Sequence, residues 1–504
     1  MSAYYITTPI YYVNDIPHIG HAYTTLAADV LARFRRLQGV DVKFLTGTDE
    51  HGQKVEKAAQ NAGMDPQAFV DQVSVRFRAL AEKMNFSIDD FIRTTEDRHK
   101  KCATALWNRL VEKGHIYVST YAGWYAVRDE AFYLEKELVN GKAPTGADVE
   151  WVEEPSYFFR LSEWQQPLLD YYKAHPDLIG PESRRNEVIR FVEGGLKDLS
   201  ISRSSFKWGV PVPGDDKHIM YVWIEALSNY LTAIGYPDVE NETFKKYWPT
   251  CIHLVGKDIL RFHAVYWPAI LMAAELPLPK KIFAHGWWTN EGEKISKSLG
   301  NVIEPLSLVE RYGLDQVRYF LMREVPFGQD GDFSEQALIQ RINSNLANDL
   351  GNLVQRVLSF IQKNVDARIP HPGTLATQDQ LFLEKVKTLP SVLNQYVEQL
   401  QLHKMCDAIW EIIGDANRYV DSEQPWSLRK TDPERMKTVL WVLCDVIRTI
   451  GIACLPLMPD AAGKILDQLA VPTLDRNFKT LQEKELESGA ALPEPQGVFP
   501  RIVV

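Results

Sequence analysis

Two rhythms of apolar and polar residues open the chain. Ala3-Tyr4-Tyr5-Ile6-Thr7-Thr8 is a short β-rich run halted by Pro9. Then Tyr23, Leu26, Val30, Phe34 and Leu37 recur at three- and four-residue spacing, which predicts a helix from about His21 to Leu37 with Gly39 as its C-cap glycine. Val40 to Thr46 predicts a second strand, ended by Gly47. Strand, helix and strand in this order imply a parallel sheet with a right-handed crossover. Ligands of such sheets bind beyond the carboxyl ends of the strands. That rim holds the Tyr12–Pro17 loop, the start of the helix and Thr48-Asp49-Glu50-His51-Gly52.

The pattern changes between about Tyr117 and Trp208, where short strands and turns such as Gly123-Trp124-Tyr125-Ala126-Val127 predict an inserted subdomain. Strand and helix signals return at Val222-Trp223, Cys251–Gly256 and Ile282-Phe283-Ala284. From about Glu335 the chain is mostly helical, with Leu346, Leu350, Leu353, Val354, Val357, Leu358 and Ile361 on one long apolar face. A proline-bearing loop from Asn364 to Thr377 precedes three more long helical patterns, and no internal repeat of fixed period is visible.

Composition narrows the class. A chain of 504 residues suggests about three domains. Its 45% hydrophobic and 24% charged content is that of a globular protein and excludes disorder as the main state. The longest apolar run, Ala264 to Ala274, contains Pro268 and falls well short of the roughly 20 residues of a membrane span. The N-terminus carries neither a basic n-region nor an apolar h-region, so a cytoplasmic, membrane-free protein is expected. Five cysteines without a C-x-x-C pair argue against a disulfide framework and against a cysteine-ligated zinc. The net charge of -10 excludes a sequence-blind nucleic-acid coat but not a specific nucleic-acid partner.

Two short motifs carry chemistry. His18-Ile19-Gly20-His21 lies at the start of the first helix, where unpaired N–H groups and the positive dipole end favour phosphate. Gly20 lets a nucleotide lie close to the backbone. The histidines can donate to phosphate oxygens, although taken alone they fit a helix cap or a metal site equally. Far downstream, Lys294-Ile295-Ser296-Lys297-Ser298 forms a glycine-flanked polar loop whose two lysines suit polyphosphate charge. Alone, such a run is an ordinary solvated loop.

In this order the pair resembles the HIGH and KMSKS signatures of class I aminoacyl-tRNA synthetases, with Ile295 where the family has methionine. The resemblance sharpens to the methionyl-tRNA synthetases through Pro9-Ile10-Tyr11-Tyr12-Val13-Asn14, Thr46–Gly52, Tyr221-Val222-Trp223, Val255-Gly256-Lys257-Asp258-Ile259 and Phe262-His263 with Trp267. It implies an α/β fold: a Rossmann-like parallel-sheet catalytic domain split by an insertion, followed by an α-helical bundle that binds the anticodon. The boundaries expected are 1–116 and 209–288 for the catalytic halves, 117–208 for the insertion, 289–340 for the lysine-loop region and 341–504 for the helical domain. The implied reaction joins L-methionine to ATP as an adenylate, then passes it to tRNA(Met) with a CAU anticodon.

Site residues follow from the same resemblance. His18, His21, Lys294 and Lys297 would serve the phosphates, with Lys297 the more important. Asp49 would hold the substrate ammonium, and Ile10, Tyr12, Trp223, Ala226, Tyr230, Phe262, His263 and Trp267 would form the methionine pocket. Gly20, Gly256, Asp258, His285 and Trp288 would receive adenosine, and Asn352, Arg356 and Trp426 the anticodon. ATP with Mg²⁺ is the implied cofactor requirement. Leu227 stands where the family often has proline, and Ala126–Asp129 and Ala143–Gly146 stand where many members carry zinc-binding cysteines, so a zinc-free insertion and no metal site are expected. The chain runs only to Val504, without the appended domain some relatives use to dimerise, and a monomer is expected. Two other readings stay open: a nucleotidyltransferase using His-x-Gly-His, which the lysine loop and helical C-terminus disfavour, and a non-catalytic RNA-binding paralogue, which the intact histidines, lysines and Asp49 disfavour.

Overall fold

Six strands form the central sheet, in the order Asp90–Arg93, Asp41–Asp49, Ala3–Tyr12, Cys251–Gly256, Lys281–His285 and Ile179–Gly180. The computed structural model describes residues 2–13, 17–129, 131–290, 292–295 and 302–503. The first strand pairs in parallel with Cys251–Gly256, which pairs in parallel with Lys281–His285, and Asp41–Asp49 is parallel to Asp90–Arg93. The chain builds outward from its first strand on one side and then returns to build on the other. A switch point therefore lies at the carboxyl ends of Ala3–Tyr12 and Cys251–Gly256, where two crossovers leave in opposite directions and a crevice opens.

Two expected element ends shift. The first strand runs through Pro9 to Tyr12. Pro9 lies past Tyr5–Thr7, the residues in register with Cys251–His253, so its missing N–H takes nothing from that ladder. The second strand continues through Gly47 to Asp49. Gly47 sits opposite Ile92, and a Cβ there would lie 2.0 Å from the Ile92 carbonyl oxygen, so glycine here permits close strand approach rather than breaking the strand. Val222–Leu227 is a short helix. The first helix spans Ile19–Leu37 and ends as expected at Gly39, whose φ of 76° lets the Val40 N–H reach the Arg35 carbonyl.

The chain divides into two compact units: Ala3–Ala28 with Val42–His285, and Met1–Ser2 with Asp29–Asp41 and Gly286–Val504. Besides the parallel sheet, the first unit holds a four-stranded antiparallel sheet built on Ile116–Ala126 and Glu150–Phe159. Ile179–Gly180, from the stretch read as an insertion, joins the parallel sheet beside Lys281–His285. The core under the sheet gathers Tyr5, Leu45, Trp248, Trp267 and Ile282, all buried.

In the second unit the three long helical patterns are the helices Thr377–Glu398, Leu402–Glu423 and Pro433–Cys454. The apolar face predicted from Leu346 to Ile361 runs along a continuous helical rod whose middle, Ile342–Gly351, is wound as a π-helix. Among the described residues no helix is long and apolar enough to cross a membrane.

An ion pair without solvent contact anchors this unit. The Arg318 Nη2 donates to Asp29 Oδ2 at 2.7 Å and to the Pro456 carbonyl at 3.0 Å, while Nε donates to the Leu457 carbonyl at 2.9 Å. Both side chains are fully buried. Removing one partner of such a pair leaves a bare charge in the interior, at a cost of about 3–5 kcal/mol. Asp29→Asn is therefore expected to lower the unfolding free energy of the helical unit by about that amount, read as a lower urea midpoint by far-ultraviolet circular dichroism; an unchanged midpoint would contradict the assignment.

Candidate active site

At the head of the first helix, His18 and His21 stack with ring centroids 3.8 Å apart. The His18 backbone N–H donates to His21 Nδ1 at 3.1 Å, and the Gly20 N–H donates to His18 Nδ1 at 3.1 Å. Each Nδ1 is thus an acceptor, so each neutral ring carries its proton on Nε2 and offers an Nε2–H donor. Burial against Tyr11 and Phe77, and then the charge of His18, hold the His21 imidazole well below its ordinary pKa. A Cβ on Gly20 would lie 2.9 Å from the His18 ring, so glycine is needed for the ring to fold over the helix start.

The other strand ends meet the same helix. Thr24 Oγ1 donates to the Gly20 carbonyl at 3.0 Å, and its one proton thus committed, it accepts from His285 Nε2 at 2.7 Å. His285 closes the Lys281–His285 strand, in register with Gly256. A Cβ on Gly256 would lie 2.6 Å from the Asp258 carboxylate. Gly20, Gly256, Asp258 and His285 thus converge on one rim, as a nucleotide site requires.

Beside them a cleft is lined by Pro9, Ile10, Asp49, Trp223, Ala226, Leu227, Asn229, Tyr230 and His263. Asp49 comes from the end of the second strand, and Trp223 and Ala226 from the Val222–Leu227 helix. Phe262 stacks on Trp223 at 3.8 Å and an interplanar angle of 10°. Tyr12 is half-buried under the Lys54 ammonium, and Trp267 lies wholly buried with its ring 6.3 Å from Tyr230. Sequence reasoning placed Pro9 in a matching motif without giving it a role, and it did not find Asn229. Asn229 is buried and donates to the Ala226 carbonyl at 2.7 Å, but a lone asparagine in Leu-Ser-Asn-Tyr carries no periodic signal.

His263 is the polar member of the wall. Its Nδ1–H donates to the Ile259 carbonyl at 3.0 Å, which leaves Nε2 to accept the Tyr230 hydroxyl at 2.7 Å. Burial lowers its pKa to about 4, so at neutral pH it is an uncharged acceptor. The cleft therefore combines one carboxylate with an apolar, polarizable wall, which suits an ammonium and a flexible thioether.

Behind the cleft, the fully buried Glu225 carboxylate accepts from His51 Nδ1 at 3.0 Å and from His99 Nε2 at 2.6 Å. Burial by itself would raise this carboxyl, but His51 and His99 outweigh it and hold it below the ordinary range, near 2. His51 is two residues from Asp49, and Glu225 sits between Trp223 and Ala226, so the pair ties the two walls together.

The second unit holds the remaining candidates. Trp288 is buried in the strand Trp288–Asn290 and packs 6.0 Å from Phe320. Lys294 ends the strand Glu293–Lys294, while Lys297 lies outside the described residues, as does Asn14 of the first motif. On the helix Asn352–Asn364, Asn352 is exposed, and Arg356 donates to Asp421 at 2.8 Å with its guanidinium 5.5 Å from the Trp426 ring centroid. Trp426 is 43% exposed and so is not a core side chain.

Comparison with known proteins identifies the family. The family profile described as tRNA synthetases class I (M) matches residues 4–149 and 134–358, and the anticodon binding domain of methionyl tRNA ligase matches residues 369–503. The methionine–tRNA ligase of Rickettsia conorii is 58% identical over 511 residues, covering 99% of each chain. That of Brucella suis is 54% identical over 505 residues, covering 99% of this chain and 98% of its own. The solved structure of Mycobacterium tuberculosis methionyl-tRNA synthetase in complex with methionyl-adenylate superposes with a TM-score of 0.97 at 51% identity, over 99% of this chain and all of the other.

Glu225→Gln is expected to cost about 3 kcal/mol, because it removes the charge that two buried imidazoles face. The sign with pH follows from the lowered native pKa. Glu225 adds stability above its unfolded value of 4.5 and loses it as pH falls toward 2. The difference in unfolding free energy between the native chain and the variant should shrink across that interval; a constant difference would rule the pairing out.

Proposed function

The chain belongs to the methionyl-tRNA synthetases of class I, and from that premise we propose which of its residues carry each step of the ligase reaction. The reaction activates L-methionine with ATP and delivers it to tRNA. The observation that supports the assignment best is the juxtaposition of one buried carboxylate, Asp49, with the Trp223–Ala226–Tyr230–His263 wall, beside two histidines that present Nε2–H donors.

In the first step the methionine carboxylate, already ionised at neutral pH, attacks the α-phosphorus of ATP. A carboxyl O–P bond forms, the bond to the bridging oxygen of the β-phosphate breaks, and pyrophosphate leaves with the electron pair. No general base is needed; the protein positions the reactants and stabilises spreading charge. Asp49 holds the ammonium. Ile10, Tyr12, Trp223, Ala226, Phe262 and Trp267 shape the thioether pocket, with His263 and Tyr230 as its polar edge. His18 and His21 donate to the phosphates, and Lys294 and Lys297 close on the leaving pyrophosphate as its charge grows. Asp258 takes the ribose hydroxyls, Gly20, Gly256 and His285 pack the adenosine, and the Trp288 backbone meets adenine. Mg²⁺ accompanies ATP and supplies charge neutralisation on the phosphates.

In the second step the 2′-hydroxyl of the tRNA terminal adenosine attacks the adenylate carbonyl and AMP leaves. The CAU anticodon of tRNA(Met) is read by Asn352 and Arg356, with Trp426 as a stacking surface. The domain division is the one expected above: catalytic halves at 1–116 and 209–288, an insertion at 117–208, the lysine-loop region at 289–340 and the anticodon domain from 341. The chain acts as a cytoplasmic monomer. The insertion is read as zinc-free: in the stretches that stand where many family members carry zinc-binding cysteines, Arg128 donates to the Thr145 carbonyl at 2.6 Å, Asp129 accepts from Tyr133 at 3.1 Å and from Thr145, and Ala126, Ala143 and Ala147 pack together.

ATP–pyrophosphate exchange without tRNA, run with each of the twenty amino acids, tests the first step. Exchange is expected with methionine alone, and after EDTA dialysis Mg²⁺ by itself should restore it. Lys297→Ala should lower kcat about 100- to 1000-fold with little change in methionine affinity. Exchange driven by another amino acid would overturn the pocket assignment. For the anticodon, Trp426→Ala should raise KM for tRNA(Met) about tenfold while exchange stays native; an unchanged KM would remove Trp426 from the interface.

A further inference from the structure

The segment that supplies Phe262 and His263 is wound differently from its neighbours. Phe262–Tyr266 forms a π-turn between the 3₁₀ turn Lys257–Ile259 and the α-helix Trp267–Ala273, and the Trp267 N–H reaches back five residues to the Phe262 carbonyl. Such turns persist only where something stabilises the widened ladder. Pro268 removes a donor at this place. An α-helical N–H at position 268 would bond the carbonyl four residues back, which is Ala264, and proline has none. Ala264 is fully buried, so its carbonyl cannot turn to water.

Tyr172 fills the gap from 92 residues earlier in the chain: its hydroxyl donates to the Ala264 carbonyl. Tyr172 is buried at 2% exposure on the helix Gln165–Ala174, and burial pushes its hydroxyl pKa far upward, so it stays a donor at any physiological pH. A second contact from the same region holds the turn: the Arg261 guanidinium lies 4.3 Å from the Phe191 ring centroid of the helix Glu182–Glu193.

We propose that Tyr172 is a positioning residue for amino-acid selectivity, holding the π-turn at the pitch that stacks Phe262 on Trp223 and aims His263 Nε2 at Tyr230. The inference rests on the reading of that wall as the methionine pocket. Two helices of the inserted stretch thereby act on substrate choice without touching the substrate. None of the residues assigned above to ATP lies in the turn, so the effect falls on one substrate.

Tyr172→Phe keeps the ring and removes only the donor. In ATP–pyrophosphate exchange it is expected to raise KM for methionine about three- to tenfold, to leave KM for ATP unchanged, and to lower the methionine-to-norleucine ratio of kcat/KM by a similar factor. Tyr172→Phe combined with Pro268→Ala returns an N–H to position 268 and should recover most of the loss. If Tyr172→Phe does not fold, a folded double variant with native methionine KM supports the proposal equally, and a double variant that also fails to fold overturns it. The proposal is likewise overturned if Tyr172→Phe lowers the melting temperature without moving methionine KM, if both KM values move together, or if the second substitution does not rescue. Trp223→Ala is the control for the pocket itself: no effect of that variant on methionine KM would mean that the pocket reading, and not the role of Tyr172, had failed.

Discussion

Everything at the candidate site depends on the reversal of strand order beside Ala3–Tyr12. A parallel sheet must be crossed over on its faces, and where successive crossovers leave in opposite directions the carboxyl ends of two strands are left uncovered. Tyr12, Asp49, Gly256 and His285 end the four strands around that crevice, and the first helix begins there. The helix start adds N–H groups that its own backbone cannot satisfy. Polar chemistry collects at this rim because it is the one edge of the sheet where neither neighbouring strands nor covering helices consume it.

The cleft shows how such a rim is made rigid. Its substrate-facing groups are few, and their orientation comes from groups behind them. His18 and His21 are turned by backbone N–H donors, His285 by Thr24, and His263 by the Ile259 carbonyl. In each case the second hydrogen bond decides which ring nitrogen carries the proton, and so whether the free nitrogen donates or accepts. His18 and His21 emerge as donors, His263 as an acceptor filled by Tyr230. Glu225 extends the same device to the walls, joining the strand end at Asp49 to the helix of Trp223 through His51.

Much of this was legible in the residue order. The spacing of Tyr23, Leu26, Val30 and Phe34 located the first helix to within two residues of its start, and the flanking runs located both strands. His-Ile-Gly-His marked the rim, because its residue types suit phosphate, and its order with the lysine motif downstream matches one family of enzymes. Where local reasoning failed, a long-range partner was responsible. Gly47 reads as a strand end until Ile92 is seen opposite it.

The sequence by itself determined the α/β class, the helical C-terminal third, the family and the residue types at the site, because periodicity, punctuation and short motifs are local properties of the chain. Only the tertiary structure decided which tautomer each histidine adopts, that Glu225 is buried between His51 and His99, and that Tyr172 meets a carbonyl which Pro268 leaves without its helical donor. Those pairings join positions 92, 126 and 174 residues apart, or rest on a ring's rotation, and hydrogen-bond satisfaction in a buried site is settled by whatever donor the fold brings within about 3 Å. No pattern along the chain records that proximity.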